Sequence, residues 1–436
     1  MKNQRTHQTY SKFEKKLTSK EFISRHRVKQ ADFTRNRSLP LHKVFFLLIN
    51  FLTKSLQAEL DNLFKVLLNK EIPVNEVTKG AFSLARKKLN PEAFTELDKD
   101  QLDHFYQNTD YKTWHGFRLL GIDGSTARLP HSAEIVAKYG IHDTSETGVP
   151  IIYARLSQAY DLLNNLTVDA KLSTYDDNEH NLALQHTAIF EAGDLTLYDR
   201  NYASFWLFAL LKKKEVRFCA RLKTGSWKVA KQLADSGNKE ITTKIYPSKA
   251  SAKKCKELGL STAPITLRFV CIELSTGEKE VLVTSLVDAD QYPYGGFSDL
   301  YQLRWQVEES YKTMKSRLEI ENFSGKSCLA IAQDFHAKIF SCNLTSILVS
   351  GTDQLVKQVC KKRKRKYKPN FTQALNRMKN SIVLLFCREK EIVEGYLDEL
   401  TGLFAANLEP VRSDRHYERN FRKSKRIYPM PYKNSF

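Results

Sequence analysis

Apolar residues recur every three to four positions from Pro40 to about Leu102. Val44, Leu47, Leu48 and Phe51 form one stripe and Leu60, Leu63 and Leu67 another, a period that predicts amphipathic helices. Val77-Thr78-Lys79 opens a further helix in which Phe82, Leu84 and Leu89 are apolar and Lys79, Arg86, Lys87 and Lys88 are basic; Asn90-Pro91 ends it. Near Gly116 the period changes. Phe117 through Gly124 reads as a buried strand with a polar tip. Two further strands, at 151–163 and 166–174, are joined by a turn at Asn164-Asn165. A helix at 181–191, a strand at 195–199, a helix through Phe205, Leu207, Leu210 and Leu211, and a strand at 217–222 follow.

Three strands, then helix, strand, helix and strand is the order of an RNase H-like mixed sheet flanked by helices. The expected fold class is therefore α/β. Its core runs over 111–222 and resumes at 296–350, interrupted at 223–295 by a β-rich insertion with strand-like stretches at 241–245, 265–274 and 281–286 and turns at Gly237-Asn238 and Thr276-Gly277. A helical basic domain at 1–110 precedes the core, and a helical basic region at 351–436 follows it. One continuous helix is expected from about Ser298, carrying Tyr301 through Leu318, with later helices at about 327–350 and 371–397.

Charge narrows the picture. The 436 residues carry 69 Lys and Arg against 49 Asp and Glu, a net charge of +20, and 42% are apolar. That apolar content argues against intrinsic disorder. The apolar stretch from Val44 onward, interrupted by Asn50 and ended by Lys54, is far short of the roughly 18 residues a membrane span needs. No apolar leader follows Met1-Lys2-Asn3-Gln4-Arg5. Seven scattered cysteines without a Cys-x-x-Cys pair support neither a disulfide framework nor a structural zinc site. A reduced, cytoplasmic setting without membrane contact is expected, and so strong a basic excess points to nucleic acid as partner. The excess is concentrated: 11 Lys and Arg against 3 acids in residues 1–38, 8 against 2 in 411–436, and an unbroken basic run from Lys361 to Lys366.

Two acids end core strands, Asp123 and Asp199, and in the expected order those strands are neighbours. On the later helix, Tyr301, Arg304, Glu308 and Lys315 are spaced i, i+3, i+7 and i+14 and share one stripe, which Lys312 joins on an ideal helix; Glu309 points elsewhere. Two Asp on rigid strands and one Glu on a packed helix make an oxygen cage suited to two Mg²⁺ ions, which in phosphoryl transfer serve the attacking and leaving oxygens. Arg304 and Lys315 can hold a phosphodiester, and Tyr301 can donate to a phosphate.

These residues carry a resemblance. The Tyr301, Arg304, Glu308, Lys315 spacing is similar to that of the bacterial insertion-sequence DDE transposases marked by a Tyr-x2-Arg-x3-Glu-x6-Lys signature. Gly121-Ile122-Asp123-Gly124-Ser125, Tyr198-Asp199-Arg200 and Phe323-Ser324-Gly325-Lys326 resemble that family's other motifs, with Asn201 standing where it often has Gly. The resemblance covers about residues 30–400. It implies cut-and-paste chemistry through a hairpin on the transposon end, with Asp123, Asp199 and Glu308 as catalytic metal ligands and Mg²⁺ as cofactor, replaceable by Mn²⁺. It also implies double-stranded DNA as partner, at the terminal inverted repeats and at the target, two protein copies in the synaptic complex, and a bacterial, nucleoid-associated location. Other readings are an RNase H-like nuclease or resolvase, and a DNA-binding derivative without activity.

The remaining polar clusters have simpler readings. Asp176, Asp177, Glu179 and His180 read as a polar loop and helix start. Lys79, Arg86 and Lys87 in the first domain, and the Lys361–Lys366 run, are expected to face the DNA backbone. Trp227, Tyr292 and Tyr294 flank the insertion, where aromatics either pack or stack on a displaced base.

Overall fold

The computed structural model describes residues 13, 15–35, 37–144, 148, 150–274, 277–388, 390–411 and 433. The first twelve residues of the basic N-terminal stretch, almost all of the basic tail and Thr276 of the expected turn lie outside the described residues. Two compact units divide the chain. One takes Met1–Asp110, Ala127–Tyr153 and Thr313–Phe436, the other Tyr111–Thr126 and Ala154–Lys312.

A mixed sheet is built from β1 (Arg118–Leu129), β2 (Asp143–Thr144), β3 (Pro150–Asp161), β4 (Leu166–Thr174), β5 (Asp194–Tyr198), β6 (Arg217–Arg221), β7 (Glu240–Ile245), β8 (Ile265–Glu273) and β9 (Lys279–Thr284). The order is β2-β3-β1-β5-β6-β9-β8-β7, with β4 paired to β3. β5 runs parallel to β1 and to β6, whereas β3 with β4 and β6 through β9 pair antiparallel. The β2 pairing, Asp143 opposite Ile151, lies within the first unit. β5 is buried at all five positions, as expected of a parallel strand covered on both faces. In the β3–β4 hairpin Asn165 takes a φ of 57°, a left-handed conformation that Asn tolerates. The helix Phe205–Lys213 covers one face of the sheet, and Phe208 stacks on Phe218 of β6 with ring centroids 4.4 Å apart.

Three elements differ from the sequence reading. β1 does not stop at Gly124: it runs on to Leu129, with Ala127 and Leu129 buried. The Asp-Gly pair resembles a turn, but alternating burial resumes beyond it. The segment 223–295 does hold strands β7 to β9, but they extend the core sheet through the β6–β9 pairing, and helices Lys228–Ser236 and Lys249–Glu257 lie between them. Val229, Ala230, Leu233 and Ala234 of the first helix recur at helical spacing and pack on the core, a pattern the strand reading of this segment missed. The expected helix through Tyr301 is two helices, Gly296–Gln302 and Trp305–Ser316. At the break the Arg304 amide donates to the Tyr301 carbonyl at 3.1 Å, a tight three-residue turn.

In the first unit the helix Cys328–Ser350 is buried on nearly every side. Phe45 of Leu41–Ile49 stacks on Phe94 of Glu92–Asn108 at 4.6 Å and meets Phe340 of the central helix edge-on at 5.6 Å. Phe46 packs on Phe386 of Phe371–Cys387 at 5.8 Å. N-terminal and C-terminal helices thus share one core. Among the described residues no helix is long and apolar enough to cross a membrane.

Candidate active site

Register brings the two aspartates together. β1 and β5 pair from Arg118 with Asp194 to Ile122 with Tyr198. Asp123 and Asp199 each follow the last pair, so they stand level on parallel chains about 4.8 Å apart. The far end of the pairing is clamped by Arg118, whose Nε and Nη2 donate to the two Asp194 oxygens at 2.7 and 2.8 Å in a buried, two-pronged ion pair.

Each acid has a distinct environment. Asp123 accepts from the Gly124 amide at 2.8 Å, and its carbonyl accepts from the Tyr311 hydroxyl at 2.9 Å. Burial pushes its carboxyl up to about 6; the Gly124 amide and Arg304 oppose the rise, and the charges of Glu308 and Asp199 reinforce it. Burial acts the same way on Asp199 but is outweighed by the Arg200 amide and by Arg221 and Arg304, which hold it below the usual carboxylate range. Arg221 donates to Asp199 Oδ1 from Nη2 at 2.9 Å and pairs with Glu280 through Nη1. Glu308, on the helix Trp305–Ser316, accepts from Arg304 Nη2 at 2.9 Å.

Arg304 links the three. It is 3% exposed, and its Nη1 is 3.5 Å from Asp123 Oδ2 while Nη2 holds Glu308. Its Nε is buried without a hydrogen-bond partner. Among the described residues no three His, Cys, Asp or Glu side chains are gathered closely enough to hold a metal ion. The donors nevertheless fit a hard divalent cation in kind, being carboxylate oxygens around one positive charge, with the buried Tyr202 hydroxyl left without a partner. Arg304 supplies that positive charge.

The other residues of the signature divide. Tyr301 is 4% exposed and its hydroxyl donates to the Tyr198 carbonyl at 3.3 Å. It ties its helix to the end of β5, and the expected phosphate donation is not available to it in this conformation. Lys312 is exposed and pairs with Glu309 on the solvent side of its helix. Lys315 lies two turns beyond Glu308, in the stretch belonging to the first unit. Trp305, 43% exposed with Arg304 near its ring, is a surface aromatic that the sequence reading passed over; its place directly after Arg304 was the available signal.

In the first unit, Lys79 and Lys87 are exposed but Arg86 is not. Arg86 is 5% exposed and donates to Gln333 Oε1, Ser324 Oγ and Asp334 Oδ1 at 2.9, 2.7 and 2.9 Å. The expected phosphate contact is therefore a structural ion pair, because Arg86 lies on the same inward face as Phe82. The Ser324-Gly325 motif closes on it: a Cβ at Gly325 would come within 2.6 Å of the Ala330 Cβ. The run Lys361 to Lys366 is exposed. Among the flanking aromatics, Trp227 packs on the core, Tyr292 stacks with Trp114 at 6.0 Å, and the Tyr294 hydroxyl donates to the Cys271 carbonyl at 2.8 Å. Asp177 accepts from Ser173 Oγ at 2.7 Å and Asn178 caps its helix, whereas Glu179 pairs with Arg155 at 2.8 Å.

The chain is similar to the transposase InsG of insertion sequence element IS4 from Escherichia coli (strain K12), 24% identical over 429 residues, which cover 95% of this chain and 92% of that protein. A cryo-EM structure of the piggyBac transposase synaptic complex with hairpin DNA superposes with a TM-score of 0.45 at 10% identity, over 90% of this chain and 84% of that one. The family model described as Transposase DDE domain matches residues 114–344, which hold Asp123, Asp199 and Glu308. That match spans more than half of the chain, and the chain belongs to the DDE transposase family.

Proposed function

We propose that this protein is an IS4-like DNA transposase that moves an insertion sequence by cut and paste, with Asp123, Asp199 and Glu308 as its catalytic carboxylates. The observation that carries this is the level placement of Asp123 and Asp199 on adjacent parallel strands, joined to Glu308 through Arg304. The strand order β4-β3-β1-β5-β6, with β5 and β6 parallel to β1, supports an RNase H-like core. Two divalent ions, Mg²⁺ or Mn²⁺, would be held by the three carboxylates and would supply an activated nucleophile and charge relief at the leaving oxygen.

The protein's own groups do the rest. Arg221 and the Arg200 amide keep Asp199 ionised. Arg304, once released from Glu308, is a two-pronged phosphate ligand, with Lys315 as a further point charge. Lys79, Lys87 and Lys361 to Lys366 contact the DNA backbone, and Trp305 offers a ring for base stacking. The reaction runs as hydrolysis of one strand at the element's end, attack of the freed 3′-OH on the opposite strand to form a hairpin, hydrolysis of the hairpin, and attack of the 3′-OH on target DNA. Two copies bring two ends together.

Full-length protein with Mg²⁺ and DNA carrying the element's own terminal repeats tests this directly. Strand transfer is expected. Cutting without transfer would make it a nuclease or resolvase, and a gel shift without cutting a binding derivative. Asp123→Ala, Asp199→Ala and Glu308→Ala should each lower cutting at least about 100-fold, as loss of transition-state charge stabilisation requires. End binding should stay near wild type, because affinity comes mostly from basic contacts. Substantial cutting by any one of them removes that residue from the triad.

A further inference from the structure

The helix Trp305–Ser316 begins after the break at Leu303-Arg304, so the helix before it does not fix its direction. Two buried side chains grip it within one turn of Glu308. Tyr311, three residues after Glu308, donates its hydroxyl to the carbonyl of Asp123 at 2.9 Å. The helix is thereby tied to the backbone of the residue whose carboxylate shares Arg304 with Glu308.

The second grip comes from the other side of the same turn. Gln158 stands on β3 and is buried. Its side-chain nitrogen donates to Ser310 Oγ and lies 3.5 Å from the Val307 carbonyl, so it holds the residues that bracket Glu308. Ser310 Oγ in turn donates to the Val307 carbonyl at 2.7 Å. Behind this, Gln158 Oε1 accepts from Thr167 Oγ1 of β4 at 3.3 Å, which leaves its N–H groups for the helix. Apolar packing is non-directional and lets a helix roll or slide. A buried hydrogen bond constrains both distance and angle and is costly to leave unmade. Asp123, Gln158, Thr167 and the turn from Val307 to Tyr311 all belong to the second unit.

We propose that Tyr311 and Gln158 are positioning residues of the catalytic centre. They set the rotation and height of the Glu308 turn against Asp123, and so the gap in which a divalent cation meets the two carboxylates. The proposal rests on the reading of Asp123 and Glu308 as ligands. Both side chains are engaged with the helix or the sheet and act through Glu308. Groups that orient metal ligands are worth about 10- to 100-fold in metal affinity. A misplacement of about 1 Å at a reacting group costs on the order of 100-fold in rate.

The test uses the full-length protein, with Mn²⁺ as the probe and free Mn²⁺ read by electron paramagnetic resonance. Tyr311→Phe removes only the hydroxyl, and Gln158→Met removes the amide at nearly constant volume. Each is expected to weaken Mn²⁺ binding about tenfold. Each should also slow single-turnover nicking of a terminal-repeat end by about 10- to 100-fold, with DNA affinity at the wild-type value. A bond that serves the fold alone would lower the melting temperature and move neither quantity well below the melt. Wild-type Mn²⁺ affinity and nicking rate in Tyr311→Phe, with Mn²⁺ affinity lost in Asp123→Asn, overturn the proposal and leave the triad standing. Absence of Mn²⁺ binding by the wild type, or wild-type affinity in both Asp123→Asn and Glu308→Gln, overturns the ligand reading and the proposal with it. Should Gln158→Met fail to fold, Tyr311→Phe, which keeps the ring, decides alone.

Discussion

Arg304 shows how one residue changes meaning between sequence and structure. Beside Glu308 on a helical stripe it reads as a DNA contact; buried at 3% exposure it is first the counter-charge of the carboxylates. Its two prongs reach Glu308 and Asp123 from one planar fork, a geometry that the point charge of a lysine ammonium does not reproduce. Arg304→Lys should therefore cut hairpin yield about tenfold, the worth of one charge-assisted hydrogen bond, and affect first-strand nicking less. Lys312→Arg, on the exposed side with Glu309, should leave both steps near wild type. Timed cleavage of a labelled end on a denaturing gel separates the two steps, and wild-type hairpin yield from Arg304→Lys would remove this role. Tyr301→Phe should cost about 1 kcal/mol of stability, the bond to the Tyr198 carbonyl, without loss of DNA affinity. Asp199 follows the last residue of β5 as the strand pattern predicts, whereas Asp123 lies inside β1 rather than at its end, and the register of the two strands brings them level. The inward turn of Arg86 was not legible in the sequence: Lys79, Arg86 and Lys87 share one short basic stretch, and the residue that turns one of them inward, Asp334, is far away in sequence.

At the scale of elements, the site depends on register. Sliding β1 against β5 by one residue would separate Asp123 from Asp199 and send one of them to the other face. The buried Arg118–Asp194 pair fixes that register from the opposite end. Arg118→Met should destabilise the protein by about 3–5 kcal/mol, since it strands a buried carboxylate, and a urea midpoint shift measures it. A loss under about 1 kcal/mol would show that register is held by side-chain packing alone. The N-terminal helices carry a different electrostatic device. Glu96 accepts Lys16, Arg25 and His26, each at 2.7 Å. Burial would raise its carboxyl, but the bonds from Arg25, Lys16 and His26 outweigh that and bring it down to about 2 from the usual 4.5. A carboxyl depressed by folding stabilises fully above its unfolded value and progressively less as pH falls. The contribution, about 1 kcal/mol or less after solvent screening, should thus be present above pH 4.5 and fade as pH drops through 2. Glu96→Gln should lower the melting temperature at pH 7 and change it little near pH 2; equal shifts at both would refute the linkage. What sequence could not show at this scale were interruptions without Gly or Pro, such as the break at Leu303-Arg304, and continuations past a turn-like pair, such as β1 beyond Gly124.

Over the whole molecule, the sequence pattern made the parallel pair, the hairpin and the helix through Phe208 readable, because each is local or repeats a short period. Interleaving was not readable. A division at 110 follows a change of period, yet the helices before it are completed by helices after 313. Phe45 and Phe46 find Phe340 and Phe386 there, Arg86 finds Asp334, and Glu59, with its side chain only 2% exposed, finds Lys379 at 2.8 Å. Residues 1–110 alone would thus strand a buried Arg and a buried Glu and open one side of their aromatic core. That fragment should lack a near-ultraviolet circular dichroism signal and a cooperative melt, so it is the wrong reagent for end binding. The full-length chain is the right one, and it distinguishes the three basic residues of the helix. Lys79→Ala and Lys87→Ala should each weaken binding to terminal-repeat and random DNA alike and lower the salt slope by about 1, as loss of one phosphate contact requires. Arg86→Ala should instead cost about 3–5 kcal/mol of stability, because Asp334 is left buried and unpaired, with the salt slope of the remaining folded protein unchanged. A lowered slope in Arg86→Ala with wild-type stability would restore it to the DNA surface, and unchanged slopes in both lysine variants would move backbone contact away from this helix, toward the exposed run from Lys361 to Lys366.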